Sequence, residues 1–388
     1  MKIIVFNTLY YPNRKGGAER SVQLVCEELV QQGAKVDVVS IWDKVSARSE
    51  VINGVTSLKW NPCNLYSVHN YSNTRRSFIS KICWQIFDIF NVLMFLKALH
   101  FFYKKKPDVV WTNNLSGFSL SIWVAAFLLK IPVCHTARDY YLLSNNVQLY
   151  KKEKLCPGHN IFSKVKISLF YFLSKWLRAF VGISDFVVFY HKRYSRCKKH
   201  ERIYNSVIFN ESSCKAKDKL YSNVKSRVFG YLGQINSAKG VDSLISHFLC
   251  NSINSTLHIA GKDEEGYAKK YNHERVRFVG FQNPEIFFRN IDCLIVPSLW
   301  DEPFGRTVVE ALAYGVPVIC SSQGGLLELS NLFKSVICFS LSDDYDYDLV
   351  NINFDNSDDI VLERMFSVQE IAKQYQGVLE SIIYRNAI

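Results

Sequence analysis

The stretch Asp292–Cys320, reading DCLIVPSLWDEPFGRTVVEALAYGVPVIC, admits few architectures. Cys293–Pro297 is a short apolar run, as expected of a strand buried on both faces. Ser298–Gly305 carries loop punctuation in Pro and Gly. Thr307–Tyr314 reads as an apolar-rich helix stopped by Gly315, and Pro317–Cys320 as the next buried strand. In a parallel α/β sheet such a loop lies at the carboxyl edge, where ligands bind. The helix start at Gly305–Thr307 offers backbone N–H groups and the positive end of a dipole, a seat for phosphate. Glu302 stands on the loop and Glu310 inside the helix. That spacing would span about 12 Å if wholly helical, at ~1.5 Å per residue. The two carboxylates are thus too far apart to work as a pair, and they suit the two ends of one long ligand whose phosphates sit between them.

A sugar nucleotide has that shape. The string E-P-F-G-R-T-V-V-E, followed by A-L-A-Y-G-V-P-V-I, resembles the E-x7-E signature of retaining glycosyltransferases of family 4. Two glutamates at this spacing alone would be equally at home as solvated carboxylates on a structural βαβ unit. The intervening Pro-Phe-Gly, the following E-A-L-A-x-G-x-P-V and the flanking strands make the match specific. The resemblance implies the α/β GT-B fold, two Rossmann-like domains facing each other across a cleft. It assigns Glu302 to the donor sugar, Glu310 to the ribose hydroxyls, and Pro303, Phe304, Gly305, Arg306 and Thr307 to the donor's diphosphate region.

The rest of the chain repeats strand, loop, helix. Ile3–Phe6 is a first strand, followed by a turn-rich loop through Arg20, a helix over about 18–32 ended by Gly33, and a strand at Val36–Ser40. No G-x-G-x-x-G is present, so no dinucleotide site is expected. Gly16 and Gly17 let backbone N–H groups approach a phosphate, and Gly-Gly-Ala-Glu-Arg is similar to the first loop of family-4 enzymes. Residues 75–106 read as one or two aromatic helices packed on the sheet, and Leu115–Leu129, an uncharged run of 15 residues, as a buried helix. Asp108–Thr112 and Pro132–Thr136 are further strands. The latter runs into His135-Thr-Ala-Arg138-Asp139, polar groups placed to orient sugar hydroxyls or an acceptor. Where the family commonly has Thr-x-His-Asp, this chain has Arg138 in the histidine position and a histidine, His135, three residues before it. Val181–Asp185 ends a strand with a Ser cap, and the polar segment 207–225 reads as an interdomain linker.

In the second half, strands are expected at Val228–Leu232, Thr256–Ala260, Val276–Phe281 and Val336–Phe339. The loop Gly233–Gly240 resembles the family's Gly-Arg…Lys-Gly diphosphate clamp, with Lys239 matching and Gln234 in place of the arginine. The strand end at Phe281 is expected beside the nucleotide base. Asp343–Asp359 reads as a solvated acidic loop and Ser367–Tyr384 as a terminal helix. The expected domains are 1–207, facing acceptor and membrane, 208–366, binding the nucleotide sugar, and 367–388, a helix packing back on the first.

Charge is divided unevenly. Residues 1–220 hold 33 Lys+Arg against 14 Asp+Glu, a net of +19, and residues 221–388 hold 14 against 21, a net of −7. That asymmetry calls for an anionic partner of the first half. Residues 161–180 are expected to form an amphipathic helix. Phe162, Val165, Leu169, Phe172, Leu173, Trp176 and Phe180 would make an apolar stripe opposite Lys164, Ser168, Tyr171, Lys175 and Arg178, an arrangement suited to an anionic bilayer. The cluster Lys151–Lys154 and the run His191–His200 add to the positive charge. No nucleic-acid-binding motif is present. The 11 scattered cysteines, without C-x-x-C, suit a reducing cytoplasmic compartment, and Cys156-Pro-Gly-His159 reads as a turn. No signal peptide is expected, and no D-x-D pair calls for a divalent metal. The expected partners are a nucleotide sugar as donor substrate with no further cofactor, a saccharide acceptor linked to lipid, and the inner membrane face. Two rival readings are a non-catalytic nucleotide-sugar-binding scaffold of the same fold and a sugar-nucleotide epimerase.

Overall fold

Short runs of Val, Ile, Phe and Tyr between glycine- and asparagine-marked turns build two parallel sheets. In the computed structural model the described residues are 1–13, 16–42, 49–66, 77–144, 150–151, 154–155, 157–158, 160–209, 226–252, 254–263, 265–339 and 354–384. They form two compact units, the first of Met1–Leu149, Cys156–Ser206 and Val368–Ile388, the second of Tyr150–Leu155 and Val207–Ser367.

The first unit contains β1 (Lys2–Phe6), α1 (Gly17–Gln31), β2 (Lys35–Ile41), β3 (Ser49–Ile52), β4 (Val55–Trp60), α2 (Phe78–Ile89), α3 (Val92–Lys105), β5 (Val109–Thr112), α4 (Ser121–Leu128) and β6 (Val133–Ala137). After the small hairpin of β7 (Tyr150–Lys151) and β8 (Lys154–Leu155) come α5 (Ile161–Leu173), β9 (Ala179–Gly182), α6 (Asp185–Lys192) and β10 (His200–Arg202). Its sheet runs β10-β9-β6-β5-β1-β2-β4-β3, parallel except for β3, which pairs antiparallel with β4. The order reverses between β1 and β5, each pairing on its other side with a different neighbour. Such a reversal opens a crevice at the carboxyl ends of the strands. The central strands β1, β5, β6 and β9 are buried along their length apart from the first residue of β1, as strands covered on both faces must be.

The second unit contains β11 (Val228–Leu232), α7 (Val241–Asn251), β12 (Thr256–Ala260), α8 (Tyr267–Lys270), β13 (Val276–Gly280), α9 (Pro284–Arg289), β14 (Cys293–Val296), α10 (Arg306–Ala313), β15 (Val318–Ser321), α11 (Gly325–Leu332), β16 (Val336–Phe339) and α12 (Ser357–Phe366). Its all-parallel sheet runs β13-β12-β11-β14-β15-β16, and here the reversal falls between β11 and β14. A core of Phe229, Val241, Ile245, Phe248, Leu257, Ile259 and Ile295 joins α7 to the sheet. The last helix, α13 (Val368–Tyr384), belongs to the first unit, where it packs on α1 and sets the Tyr375 ring against Trp111, centroids 4.6 Å apart and tilted by 39°.

Two sequence expectations are corrected. The helix expected across 161–180 stops at Leu173, turns once through Trp176 and gives way to β9, so Phe180 is a strand residue. It buries Ser163, Lys166, Phe170 and Leu173 and leaves Val165 and Phe172 outside, because Lys166 turns inward to pair with buried Asp88 of α2 at 3.1 Å. The acidic stretch ending at Asp359 is not wholly a solvated loop. Asp358 lies in α12, buried, and its carboxylate accepts the N–H groups of Lys334 and Ser335. The basic run also includes a core residue: His191 is fully buried and stacks on Tyr140. Arg14 and Lys15, Lys152, Glu153, Cys156, His159, residues 210–225 of the linker and residues 340–353 of the acidic segment lie outside the described residues.

Candidate active site

In the second unit, the loops leaving β11 and β14 flank the point where strand order reverses. They are locked together at backbone level. Leu299 N donates to Ala238 O at 3.1 Å, and a Cβ on Gly240 would lie 1.9 Å from Pro297 O. Gly240 has φ +73°, so glycine satisfies both the conformation and the close approach. This lock brings Lys239 of the first loop and Glu302 of the second into an ion pair. Glu302 is buried, and its Oε1 also accepts Ser298 Oγ at 2.7 Å and Trp300 Nε1 at 3.1 Å. Lys239 Nζ lies 4.8 Å from the centre of the Trp300 ring, so cation and carboxylate share one aromatic wall. Among the described residues, every side-chain bond to Glu302 falls on Oε1, leaving Oε2 to accept a bond from a ligand.

The loop after β15 buttresses this carboxylate from behind. Gly325 N donates to Glu302 O at 2.7 Å, and Ser321 Oγ to Ser298 O at 2.7 Å. Gly324 has φ +58°, and a Cβ there would meet Glu302 O at 2.4 Å. Ser298, Trp300, Gly324 and Gly325 are the residues sequence reading missed. The signal available was a second Gly-Gly in the turn that follows a buried strand.

Beyond Glu302 the chain enters α10. Gly305, at φ +93°, is its N-cap and brings no capping side chain. Arg306 and Thr307 are partly exposed at the first turn. Pro303 and Phe304 are buried, and Phe304 packs against Phe366 of α12. The Phe304 ring thus belongs to the core. Arg306 Nε donates to Glu310 Oε1 at 2.7 Å, one helical turn on, so the guanidinium orients the second carboxylate. Gln234 is exposed, with its carbonyl accepting Tyr231 Oη at 2.6 Å, and Phe281, just past β13, is 88% exposed.

The first unit gathers its own polar cluster at the carboxyl ends of β1, β5, β6 and β10. Thr8 Oγ1 donates to Asn114 Oδ1 at 2.9 Å and to Ser116 O at 2.8 Å. Asn114 Nδ2 in turn donates to Asp139 Oδ2 at 2.8 Å. Asp139 Oδ1 accepts Tyr141 N at 2.9 Å. Burial pushes the Asp139 carboxyl up to about 6; the Tyr141 N–H and the charges of Lys166 and Arg138 pull the other way, while Glu19 adds to the rise. Arg138 is buried, bonding Asn113 Oδ1 through Nε at 2.9 Å and Asn205 Oδ1 through Nη1. It ties three strand ends together. Gly17 is exposed in the first turn of α1, where Gly16 N bonds Glu19 Oε2 at 2.9 Å.

His135 departs from expectation. Its ring is buried against Trp123 and Phe180, with Nδ1 at 2.9 Å from Thr112 Oγ1. Burial, with the nearby His191 and Arg138 charges, drives its pKa well below the ordinary histidine range. It is a neutral core residue and reaches no ligand-accessible edge.

With this geometry in hand, the comparisons with known proteins are informative. Residues 15–210 match the profile of Glycosyltransferase Family 4, and residues 213–344 that of Glycosyl transferases group 1. A Klebsiella pneumoniae chain, described as an uncharacterized 42.6 kDa protein in the cps region, is 32% identical over 97% of this chain and 98% of its own. The lipopolysaccharide core biosynthesis mannosyltransferase LpsB of Rhizobium meliloti is 32% identical over 29% of this chain and 36% of its own. Among solved structures, Anabaena Alr3699/HepE in complex with UDP and glucose superposes with a TM-score of 0.67. It covers 98% of this chain and 100% of that one at 16% identity, a likeness of GT-B fold alone.

Proposed function

The chain belongs to glycosyltransferase family 4, and from that premise we propose that it moves a hexose from a nucleoside-diphosphate sugar to a hydroxyl of a saccharide acceptor, with retention of anomeric configuration. The observation that carries this reading is the meeting of Lys239 and Glu302 beside the uncapped start of α10, at the strand-order reversal of the second unit. The N–H groups of that helix start and the Lys239 ammonium are aimed where negative charge grows on a departing diphosphate. Glu302, held through Oε1, offers Oε2 to a donor-sugar hydroxyl, and Glu310, steadied by Arg306, accepts from the ribose hydroxyls. Gln234 and Phe281 border the donor from the ends of β11 and β13. The leaving phosphate serves as base for the acceptor hydroxyl, and no divalent metal is assigned a role.

In the first unit, Asp139, with Asn114 behind it, orients the acceptor. Arg138 holds the strand ends that frame it, and the Gly17 turn lies at the same carboxyl edge. The acceptor is a lipid-linked saccharide of surface polysaccharide synthesis, used at the cytoplasmic face of the membrane by a peripherally bound enzyme. The basic first half, the cps-region placement of the Klebsiella relative and the lipopolysaccharide role in the description of LpsB support this.

Glu302→Gln, Glu310→Gln and Lys239→Ala enzymes test the assignment. Each is expected to fold normally and to lose turnover, by roughly 10²-fold or more where a preorganised electrostatic contact is removed. Wild-type turnover in all three would refute the assignment.

A further inference from the structure

Helices α2, α3 and α5 of the first unit are only half used by its core. Trp84 and Asp88 hold α2 inward, Met94, Ala98 and Phe102 hold α3, and Lys166, Phe170 and Leu173 hold α5. Their outer faces are not polar. On α2, Phe78 is 77% and Ile79 72% exposed, followed about two turns on by exposed Ile86 and Phe87. On α3, Val92, Leu93, Leu96 and Tyr103 project outward, and on α5, Ile161, Val165 and Phe172 do. An isolated exposed leucine needs no explanation; three helices that each turn such a face to solvent do.

The charges around these faces say what covers them. Across Phe78–Lys106 and Ile161–Arg178 the sequence holds nine Lys+Arg and one acidic residue, Asp88. That acid is buried, accepts the ammonium of equally buried Lys166, and so neutralises itself inside the unit. Outside remain Lys81, Lys104, Lys106, Lys164, Lys175 and Arg178, all exposed. A second copy of the chain meeting this surface through its own would set lysine against lysine. An anionic bilayer accepts both components, its acyl boundary the apolar side chains and its headgroups the ammonium groups on their flexible stems. The stretch Phe78–Lys105 is also apolar enough by composition to cross a bilayer. Phe90 and Asn91 interrupt it, however. The helices on either side measure about 18 and 21 Å at ~1.5 Å per residue, short of the ~30 Å hydrocarbon core. Their inner faces are committed to the protein, so neither is built as a spanning helix.

We propose that the outer faces of α2, α3 and α5 are the surface by which this protein docks on anionic phospholipid, seated in the headgroup region with Lys81, Lys104 and Lys164 among the phosphates. This rests on the membrane reading above and adds the surface that performs it. Of the stripe anticipated for 161–180 it keeps Val165 and Phe172 and leaves out Leu173 and Phe180, which are buried.

Co-sedimentation with vesicles of phosphatidylcholine, with and without phosphatidylglycerol, tests it on the full chain. Wild type is expected to partition onto phosphatidylglycerol vesicles in a salt-sensitive manner. An Ile79→Glu/Leu93→Glu variant should partition roughly ten-fold or more weakly, given the apolar area withdrawn. A Lys81→Glu/Lys104→Glu/Lys164→Glu variant should lose the preference for phosphatidylglycerol. Melting temperature and transfer to a water-soluble saccharide acceptor should stay at the wild-type level in both. Wild-type partitioning by both variants would overturn the docking surface while leaving the lipid-linked acceptor standing. Vesicle binding lost in the variants, with lipid-linked acceptors never used by the wild type, would uphold the surface and overturn the acceptor reading. Concentration-dependent dimers abolished by the same substitutions would give the face to a second copy and overturn the proposal, as would a wild type indifferent to vesicles.

Discussion

Asp139 carries the clearest electrostatic consequence at the scale of single residues. Its carboxyl is raised to about 6 by burial, so the folded protein binds that proton more tightly than the unfolded chain between the ordinary 3.8 and about 6. Stability from this group is therefore present at low pH and declines as pH rises through that window. The charge costs roughly 2–3 kcal/mol at neutral pH, from ~1.4 per unit, less whatever solvent screening its partly exposed edge provides. Asp139→Asn keeps the shape and removes the charge. Melting curves should show the variant gaining on wild type by several degrees between about pH 4.5 and about pH 8, while its transferase activity falls. Parallel pH profiles for the two proteins would mean that Asp139 does not hold its charge in hostile surroundings. Glu302, Lys239 and Glu310 could be singled out in the sequence as candidates because loop chemistry and a specific string surround them. What could not be read was that Lys239 pairs with Glu302, since the two are brought together by a backbone lock between distant loops. His135 misled for the converse reason: a polar residue near a strand end looks alike whether its ring faces the edge or the core, and only the packing of Trp123 and Phe180 decides.

At the scale of elements, the strands that were expected fell within a residue or two of their places, because continuous apolar runs bounded by turns mark buried parallel strands, whereas β3 and β4, whose burial alternates, were not anticipated. Helix α5 shows where periodicity fails. Its apolar residues are numerous enough to suggest a stripe, yet the buried face is chosen by the Lys166–Asp88 pair, formed between residues 78 positions apart. No local pattern encodes such a partner. Helix α13 gives the matching energetic test. It is held to the first unit by Ile371, Ala372, Tyr375, Val378, Leu379 and Ile382, all buried, with Tyr375 packed against Trp111. Tyr375→Ala should cost about 3–5 kcal/mol, as large aromatic-to-alanine changes in packed cores do. Urea unfolding would register that loss as a lower midpoint. An unchanged midpoint would mean that α13 contributes little to the first unit in solution.

In the molecule as a whole, the two units differ in charge as sharply as in their polar clusters. The basic unit presents Asp139 and an apolar, lysine-flanked exterior; the other presents the Lys239–Glu302 pair and the α10 start. The central claim is that a nucleoside diphosphate is seated at that helix start with Lys239 beside it. Calorimetric titration of UDP, GDP and ADP into wild type and Lys239→Ala tests it most directly. One of the three is expected to bind wild type, and to bind the variant roughly ten-fold or more weakly, as befits one charge-assisted phosphate contact. Equal affinity for the two proteins, or no binding of any of the three by wild type, would contradict it.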